Sequence, residues 1–269
     1  MRIWGAGKMQ SRLIRISSAA LLMLCVGPAL AQILVPAGSS LSLNGGSLDL
    51  AGTDFAIAGS FATGSGGVNG ANNIDILAGG MLDGGSGYLR LSGDWSNAGV
   101  FNPAGGTVFF IDGVAGSSNI AGSSVFNNLS FISANGKSYV FAVGSTQTIN
   151  SALAIAGTPS AGIQFKSSVA GQVANINLLL SGAQNISYVG VSDVHATGQH
   201  LAPMLTNDGG SGNAMGWFSA VQPGGGTTVP APALSAFVLA LLILLTAGLG
   251  LYRVRRYESF CTDFPQGIS

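Results

Sequence analysis

The sequence predicts an all-β chain: a parallel β-helix or β-solenoid body, with an N-terminal signal-peptide helix and one C-terminal transmembrane helix. Three observations carry this. Short apolar–polar–apolar triplets recur through the middle of the chain, separated by Gly, Asn and Ser. No stretch of that middle offers about ten residues of helical periodicity free of glycine and proline. Each end carries an apolar run beside basic residues.

Taken in order, residues 1–31 read as a signal peptide. Arg2, Lys8, Arg12 and Arg15 form a basic region, and Ile16 to Val26 is an apolar core too short to span a bilayer well. Ala29 and Ala31 place small side chains at both recognition positions for signal peptidase, so the mature chain is expected to start at Gln32. Cys25 is followed by Val26-Gly-Pro28 and lies upstream of that site, which excludes lipidation there.

Residues 32–221 form the predicted body. Leu41-Ser-Leu43, Leu48-Asp-Leu50 and Phe55-Ala-Ile57 recur at seven-residue spacing, each followed by a glycine-bearing turn. A heptad coiled coil would share that spacing. Gly45, Gly46, Gly52 and Gly59 exclude it, since each costs a helix about 1 kcal/mol relative to alanine. Alternation over three residues marks a short strand with one buried face. The pattern continues at Ile74-Asp-Ile76, Leu89-Arg-Leu91, Val108-Phe-Phe110, Leu129-Ser-Phe131 and Tyr139-Val-Phe141. It runs on through Leu153-Ala-Ile155, Ile163-Gln-Phe165, Leu178-Leu-Leu180 and Tyr188-Val-Gly-Val191. Very short units, small residues in the turns and scarce charge favour a solenoid over a sandwich or barrel. An open solenoid end exposes unpaired edges. Met204 to Phe218, with Trp217 and Phe218, is expected to cap the last coil, and Gln32 to Ser40 to close the other end.

Residues 222–232 form a Pro/Gly linker, and residues 233–252 an uncharged apolar run. At about 1.5 Å rise per residue, roughly 20 residues cross a hydrocarbon core of about 30 Å. Arg253, Arg255 and Arg256 follow, so residues 253–269 are expected to form a basic cytoplasmic tail.

Val229, Pro230 and Pro232, the apolar helix and the arginine cluster together resemble C-terminal sorting signals of the PEP-CTERM type and the related IPTL-CTERM type. The resemblance implies a Gram-negative host and an exosortase-type transpeptidase as partner. Ala231 stands where the name-giving motif has glutamate, and the tail from Tyr257 to Ser269 is longer than such signals carry. A plain, uncut membrane anchor is the alternative. Within the body, Gly93-Asp-Trp-Ser-Asn-Ala-Gly-Val-Phe-Asn102, Gly106-Thr-Val-Phe-Phe-Ile-Asp-Gly113 and Ile120-Ala-Gly-Ser-Ser-Val-Phe-Asn-Asn-Leu129 resemble repeat modules of bacterial adhesin-like surface proteins. That resemblance implies a right-handed β-helix at the cell surface and brings no active site with it.

Composition narrows the function. The chain is 47% hydrophobic and 7% charged, with 42 glycines, which excludes a disordered chain. The body's bases are Arg90, Lys137 and Lys166, against Asp49, Asp54, Asp75, Asp83, Asp94, Asp112, Asp193 and Asp208. A nucleic-acid role needs a basic stripe, and there is none. Cys25 and Cys261 flank the body, so disulfides play no part in it.

Candidate chemistry is sparse. His195 and His200 lie near Asp193, but the body holds no glutamate and no third ligand beside them. Gly84-Gly-Ser-Gly87 and Gly209-Gly-Ser-Gly-Asn213 lack the final aspartate and the tandem array of a calcium repeat. No cofactor is expected. Polysaccharide lyases and hydrolases on β-helices use clustered carboxylates. Here that requires Asp49 with Asp54, or Asp75 with Asp83, to meet through coil stacking.

The sequence thus reads as an exported, envelope-attached structural or adhesive protein. Its expected partners are signal peptidase, an exosortase-type enzyme, the membrane and extracellular polysaccharide. The alternatives are a polysaccharide-active enzyme on the same fold and an uncut single-span membrane protein.

Overall fold

The computed structural model describes residues 32–218, and these form a parallel β-solenoid with no helix. Three strands make the first coil: β1 (Gln32–Val35), β2 (Ser40–Ser42) and β3 (Ser47–Asp49). The second holds β4 (Asp54–Ile57), β5 (Ser60–Ala62) and β6 (Gly67–Ala71). The third holds β7 (Ile74–Ile76), β8 (Met81–Asp83) and β9 (Tyr88–Leu91). The fourth holds β10 (Trp95–Asn97), β11 (Val100–Asn102) and β12 (Thr107–Phe110). Later coils fuse two sides into one strand: β13 (Ser117–Ala121) leads into β14 (Ser124–Ile132), and β15 (Ser138–Phe141) into β16 (Thr146–Ala156). Then follow β17 (Ile163–Ser167), β18 (Ala174–Leu178), β19 (Ala183–Ser187), β20 (Val189–Ser192) and β21 (Val194–Ala196).

Stacking these coils builds three sheets. The first has eight strands in the order β1-β4-β7-β10-β13-β15-β17-β20, the second is β11-β8-β5-β2, and the third runs from β3 to β21. With parallel strands about 4.8 Å apart, eight coils make a rod roughly 35–40 Å long.

The inward residues stack in register. On the first sheet Ile33, Phe55, Ile74, Trp95, Ile120 and Phe141 form one ladder. Leu41, Phe61, Leu82 and Phe101 form the ladder of the second sheet, and Phe126 continues it at 5.6 Å from Phe101, ring to ring. On the third sheet Leu48, Val68, Leu89, Val108, Leu129 and Leu153 align. Phe131 lies at the aromatic centre, 5.0 Å from Phe110, 4.7 Å from Tyr139 and 4.8 Å from Phe165. Full burial of such a side chain stabilises by about 1.5–3 kcal/mol, so these ladders are the main cohesive force.

The corners explain the small residues. Gly46, Gly66, Gly87 and Gly106 occupy one corner in successive coils. Their carbonyls accept backbone bonds from Gly67 (3.1 Å), Tyr88 (3.2 Å), Thr107 (3.0 Å) and Asn128 (3.2 Å) of the next coil. A β-carbon on Gly66 or Gly87 would collide with the carbonyl of the glycine below it. The glycine ladder ends at Asn127 and Asn128, where the strands slip register between Phe126 and Asn128 and two sides merge into β14. Asx side chains serve the corner entering the first sheet. Asp54 accepts from the Asn73 amide (3.2 Å), Asn73 from the Asp94 amide (2.6 Å), and Asp94 from the Asn119 amide (2.7 Å).

Three expectations need correction. Residues 32–40 do not close the first end: β1 and β2 belong to the first coil itself and pair on one side, with β4 and β5. For the same reason Leu41, expected inside, is 44% exposed, because no coil lies beneath it among the described residues. Leu178-Leu-Leu180 is likewise not a continuous strand. Leu178 is buried, whereas Leu179 and Leu180 sit exposed in the turn that follows.

Candidate functional site

The predicted processing and sorting positions come first. Gln32 opens β1. Ala29 and Ala31, and Val229, Pro230, Pro232, Arg253, Arg255 and Arg256, lie outside the described residues, as does the expected apolar span. Among the described residues no helix is long and apolar enough to cross a membrane.

The solenoid sorts the carboxylates differently from either pairing expected. Asp49 lies on the third sheet and Asp54 on the first; Asp75 lies on the first and Asp83 on the second. What the stacking gathers instead is Asp54, Asp75 and Asp94, on the first sheet or at its edge in consecutive coils. Asp54 and Asp94 are committed to structure: Asp54 accepts from the Asn72 side chain (2.8 Å), and Asp94 from the Asn119 side chain (3.0 Å), besides their backbone bonds. Asp75 lies between Ala56 and Ser96 in register. Burial, and then repulsion from Asp54 and Asp94, push its carboxyl above the ordinary aspartate value.

Elsewhere, too, carboxylates hold turns. Asp83 accepts from the Gly85 amide (2.9 Å) and Asp112 from the Ala134 amide (2.8 Å). Asp193 accepts from the Asn213 side chain (2.6 Å) and the Gly171 amide (2.8 Å), and these bonds hold its carboxyl below the usual range. His195 contacts Asn213 at 3.2 Å, so Asn213 bridges the imidazole and Asp193. His200 meets the Phe218 carbonyl. No group of three metal-ligating side chains occurs among the described residues.

Lys137 is the most deeply buried charged side chain among the described residues, only 2% exposed. Its ammonium donates to the carbonyls of Ser92 and Ile111 (3.2 Å to the latter) and lies 5.6 Å from the Tyr139 ring centre. Burial pushes its pKa down, against the pull of Asp112 and Asp94. It therefore acts as an internal staple between coils.

The outer surface of the third sheet is the strongest candidate for recognition. The register places Tyr88, Thr107, Asn128, Ala152 and Ala183 in one outward row, and Arg90, Phe109, Ser130, Ala154 and Asn185 in the next. Tyr88 lies over Gly67, where a β-carbon would stand 2.7 Å from the ring's Cε2 and collide with its neighbours. The missing side chain at Gly67 is what lets the ring lie on the sheet. The Arg90 guanidinium covers the Phe109 ring at 5.4 Å. Beyond Phe109 the small residues Ser130, Ala152 and Ala154 leave an open depression of about 280 Å³, bounded by Thr107, Asn128, Gln184 and Asn185. Flat rings, a cation and amides around a shallow apolar floor can hold a ligand with apolar faces and polar edges.

Sequence reading missed this row because its residues are the polar halves of alternating strands, and only stacking makes them neighbours. Arg90 followed by Phe109 one coil later was the available signal. No family model matches the chain, and neither the curated proteins nor the solved structures yield a match.

Proposed function

We propose that this chain is an exported, envelope-attached surface protein with a structural or adhesive role, sorted or anchored through its C-terminal apolar segment. Extracellular polysaccharide is its partner along the third sheet. The reading rests on one observation above all: Tyr88, Arg90 and Phe109 line the approach to a shallow depression rimmed by amides, on a rigid rod. A sugar ring offers apolar C–H faces to the aromatic rings and hydroxyls to Asn128 and Asn185. Such contacts are individually weak, and a rod that repeats them along a polymer gains by multivalency. The apolar segment and arginine cluster support envelope attachment, and the alanine pair before Gln32 supports export.

The test has two arms. Mass spectrometry of both ends of the protein from fractionated cells should find an N-terminus at Gln32, and a C-terminus that changes when the host's sorting enzyme is deleted. An intact C-terminus in both strains would leave a permanent anchor. Binding to the host's own extracellular polysaccharide should weaken about tenfold for Tyr88→Ala with Phe109→Ala, consistent with roughly 0.5–1.5 kcal/mol for each aromatic contact. Equal binding by wild type and variant would remove the third sheet from the proposal.

A second reading is a polysaccharide-active enzyme, favoured by the gathering of Asp54, Asp75 and Asp94 and the raised Asp75 carboxyl. It requires release of reducing ends from polysaccharide that is abolished in Asp75→Asn.

A further inference from the structure

The two ends of the rod are built differently. At the far end side chains occupy the last strand edges. Asn207 accepts from the Val191 amide (2.7 Å) and donates to the Val191 carbonyl (2.9 Å), so its amide stands in for a neighbouring strand along β20. On the next side Gln184 of β19 ties down the covering segment, accepting from the Ala202 amide (2.8 Å) and donating to the His200 carbonyl (2.9 Å). Leu201 bridges Trp217, and Trp217 and Phe218 lie buried over the core. At the near end nothing comparable exists among the described residues. β1, β2 and β3 each pair on one side only, and Leu41 projects from the bottom of its ladder.

We propose that this first coil is a docking edge for a second copy of the chain, joined head to head about a two-fold axis. Three points select that occupant. Processing between Ala31 and Gln32, which belongs to the export reading above, leaves no upstream residue to cover the edge, because Gln32 is already the first residue of β1. Amides and the tip of the apolar core become available together there, and a second first coil offers the same combination with the same cross-section. Head-to-tail stacking is blocked, since Asn207, Gln184 and the Trp217 cover fill the other end. A two-fold contact closes on itself and stops at two copies. The strands would meet antiparallel across the junction, continuing the sheets into a rod of roughly twice the length.

The test uses the full-length chain expressed with export and purified in its processed form. Light scattering should give twice the monomer mass, with the N-terminus read on the same sample. Leu41→Lys, which puts like charges across the two-fold, should raise the dimer dissociation constant at least tenfold. Ser42→Lys adds the charge beside Leu41 without touching the inner ladder, and should act in the same direction if Leu41→Lys disturbs folding. Met204→Lys, at the opposite end and 92% exposed, should change nothing. A monomer at all concentrations, or a dimer sensitive to Met204→Lys but not to the first-coil variants, overturns the proposal. An N-terminus at Met1 overturns the processing reading instead, and the mass and variant results still decide the junction.

Discussion

The corner glycines give the sharpest test of the architecture, and Gly87→Ala is the variant to make. A β-carbon at Gly87 would stand 2.7 Å from the carbonyl carbon and 3.2 Å from the nitrogen of Gly66, with the carbonyl oxygen closer still. These are backbone atoms of the coil below, so no side-chain rotation relieves the clash. Restoring an ordinary separation of about 3.5 Å requires the two coils to part locally. The bonds that suffer are Tyr88 N–H to the Gly66 carbonyl (3.2 Å) and Thr107 N–H to the Gly87 carbonyl (3.0 Å). Each is worth about 1 kcal/mol net, and overpacking strain adds about 1–3 kcal/mol, so the expected loss is roughly 3–5 kcal/mol. For a domain of this size that lowers the melting midpoint by about 6–20 °C. Gly105→Ala is the control. Nothing stands within 4 Å of its added β-carbon and its φ is not left-handed, so it should be neutral or gain up to about 1 kcal/mol. Gly79→Ala also meets nothing, but its φ of +82° should cost about 1–2 kcal/mol. Thermal melts followed by far-UV circular dichroism should rank the three Gly87, Gly79, Gly105 from most to least damaging. Equal midpoints for Gly87→Ala and Gly105→Ala would refute close coil stacking at this corner.

Further outcomes follow from the interior and the charges. Phe131→Ala removes a ring packed against Phe110, Tyr139 and Phe165 and should cost about 3–5 kcal/mol in denaturant unfolding. Lys137→Ala leaves the Ser92 and Ile111 carbonyls without their buried donor and should cost about 1–3 kcal/mol. Asp75 binds its proton more tightly folded than unfolded, so its contribution to stability falls as pH rises through the ordinary value of 3.8 toward the raised folded one. Asp75→Asn should therefore raise the melting midpoint at pH 7, and the gain should vanish below 3.8. Asp193 runs the other way: its lowered carboxyl contributes above the ordinary value and loses that contribution as pH falls through the folded one. Asp193→Asn should thus lower the midpoint at pH 7 and not in strong acid.

The fold class was legible because a solenoid coil is a local object. Phe55-Ala-Ile57 or Leu89-Arg-Leu91 alternates within three residues, and glycine after each triplet signals a turn without reference to distant parts of the chain. The second sheet was not legible for the same reason turned around. Phe61, Leu82 and Phe101 each stand alone between polar or outward residues in strands of three, and one inward residue makes no period. The seven-residue spacing of Leu41, Leu48 and Phe55 likewise marks successive sides of the coil, not successive coils.

The amino-acid order by itself determined that the body is β, glycine-cornered, cysteine-free and nearly without charge, because composition and short-range alternation decide those properties. Only the tertiary structure decided which residues become neighbours between coils. The ladder contacts span 19, 21 and 25 positions, and this uneven interval cannot be read from a repeat. Stacking therefore chose that Asp75 shares a sheet with Asp54 and Asp94 rather than Asp83, that Tyr88 lies on Gly67, and that Leu41 has no coil beneath it among the described residues. The physical reason is register. Hydrogen bonds between coils set each residue opposite one partner a whole turn away, and the lengths of the intervening turns, not the triplets, select that partner.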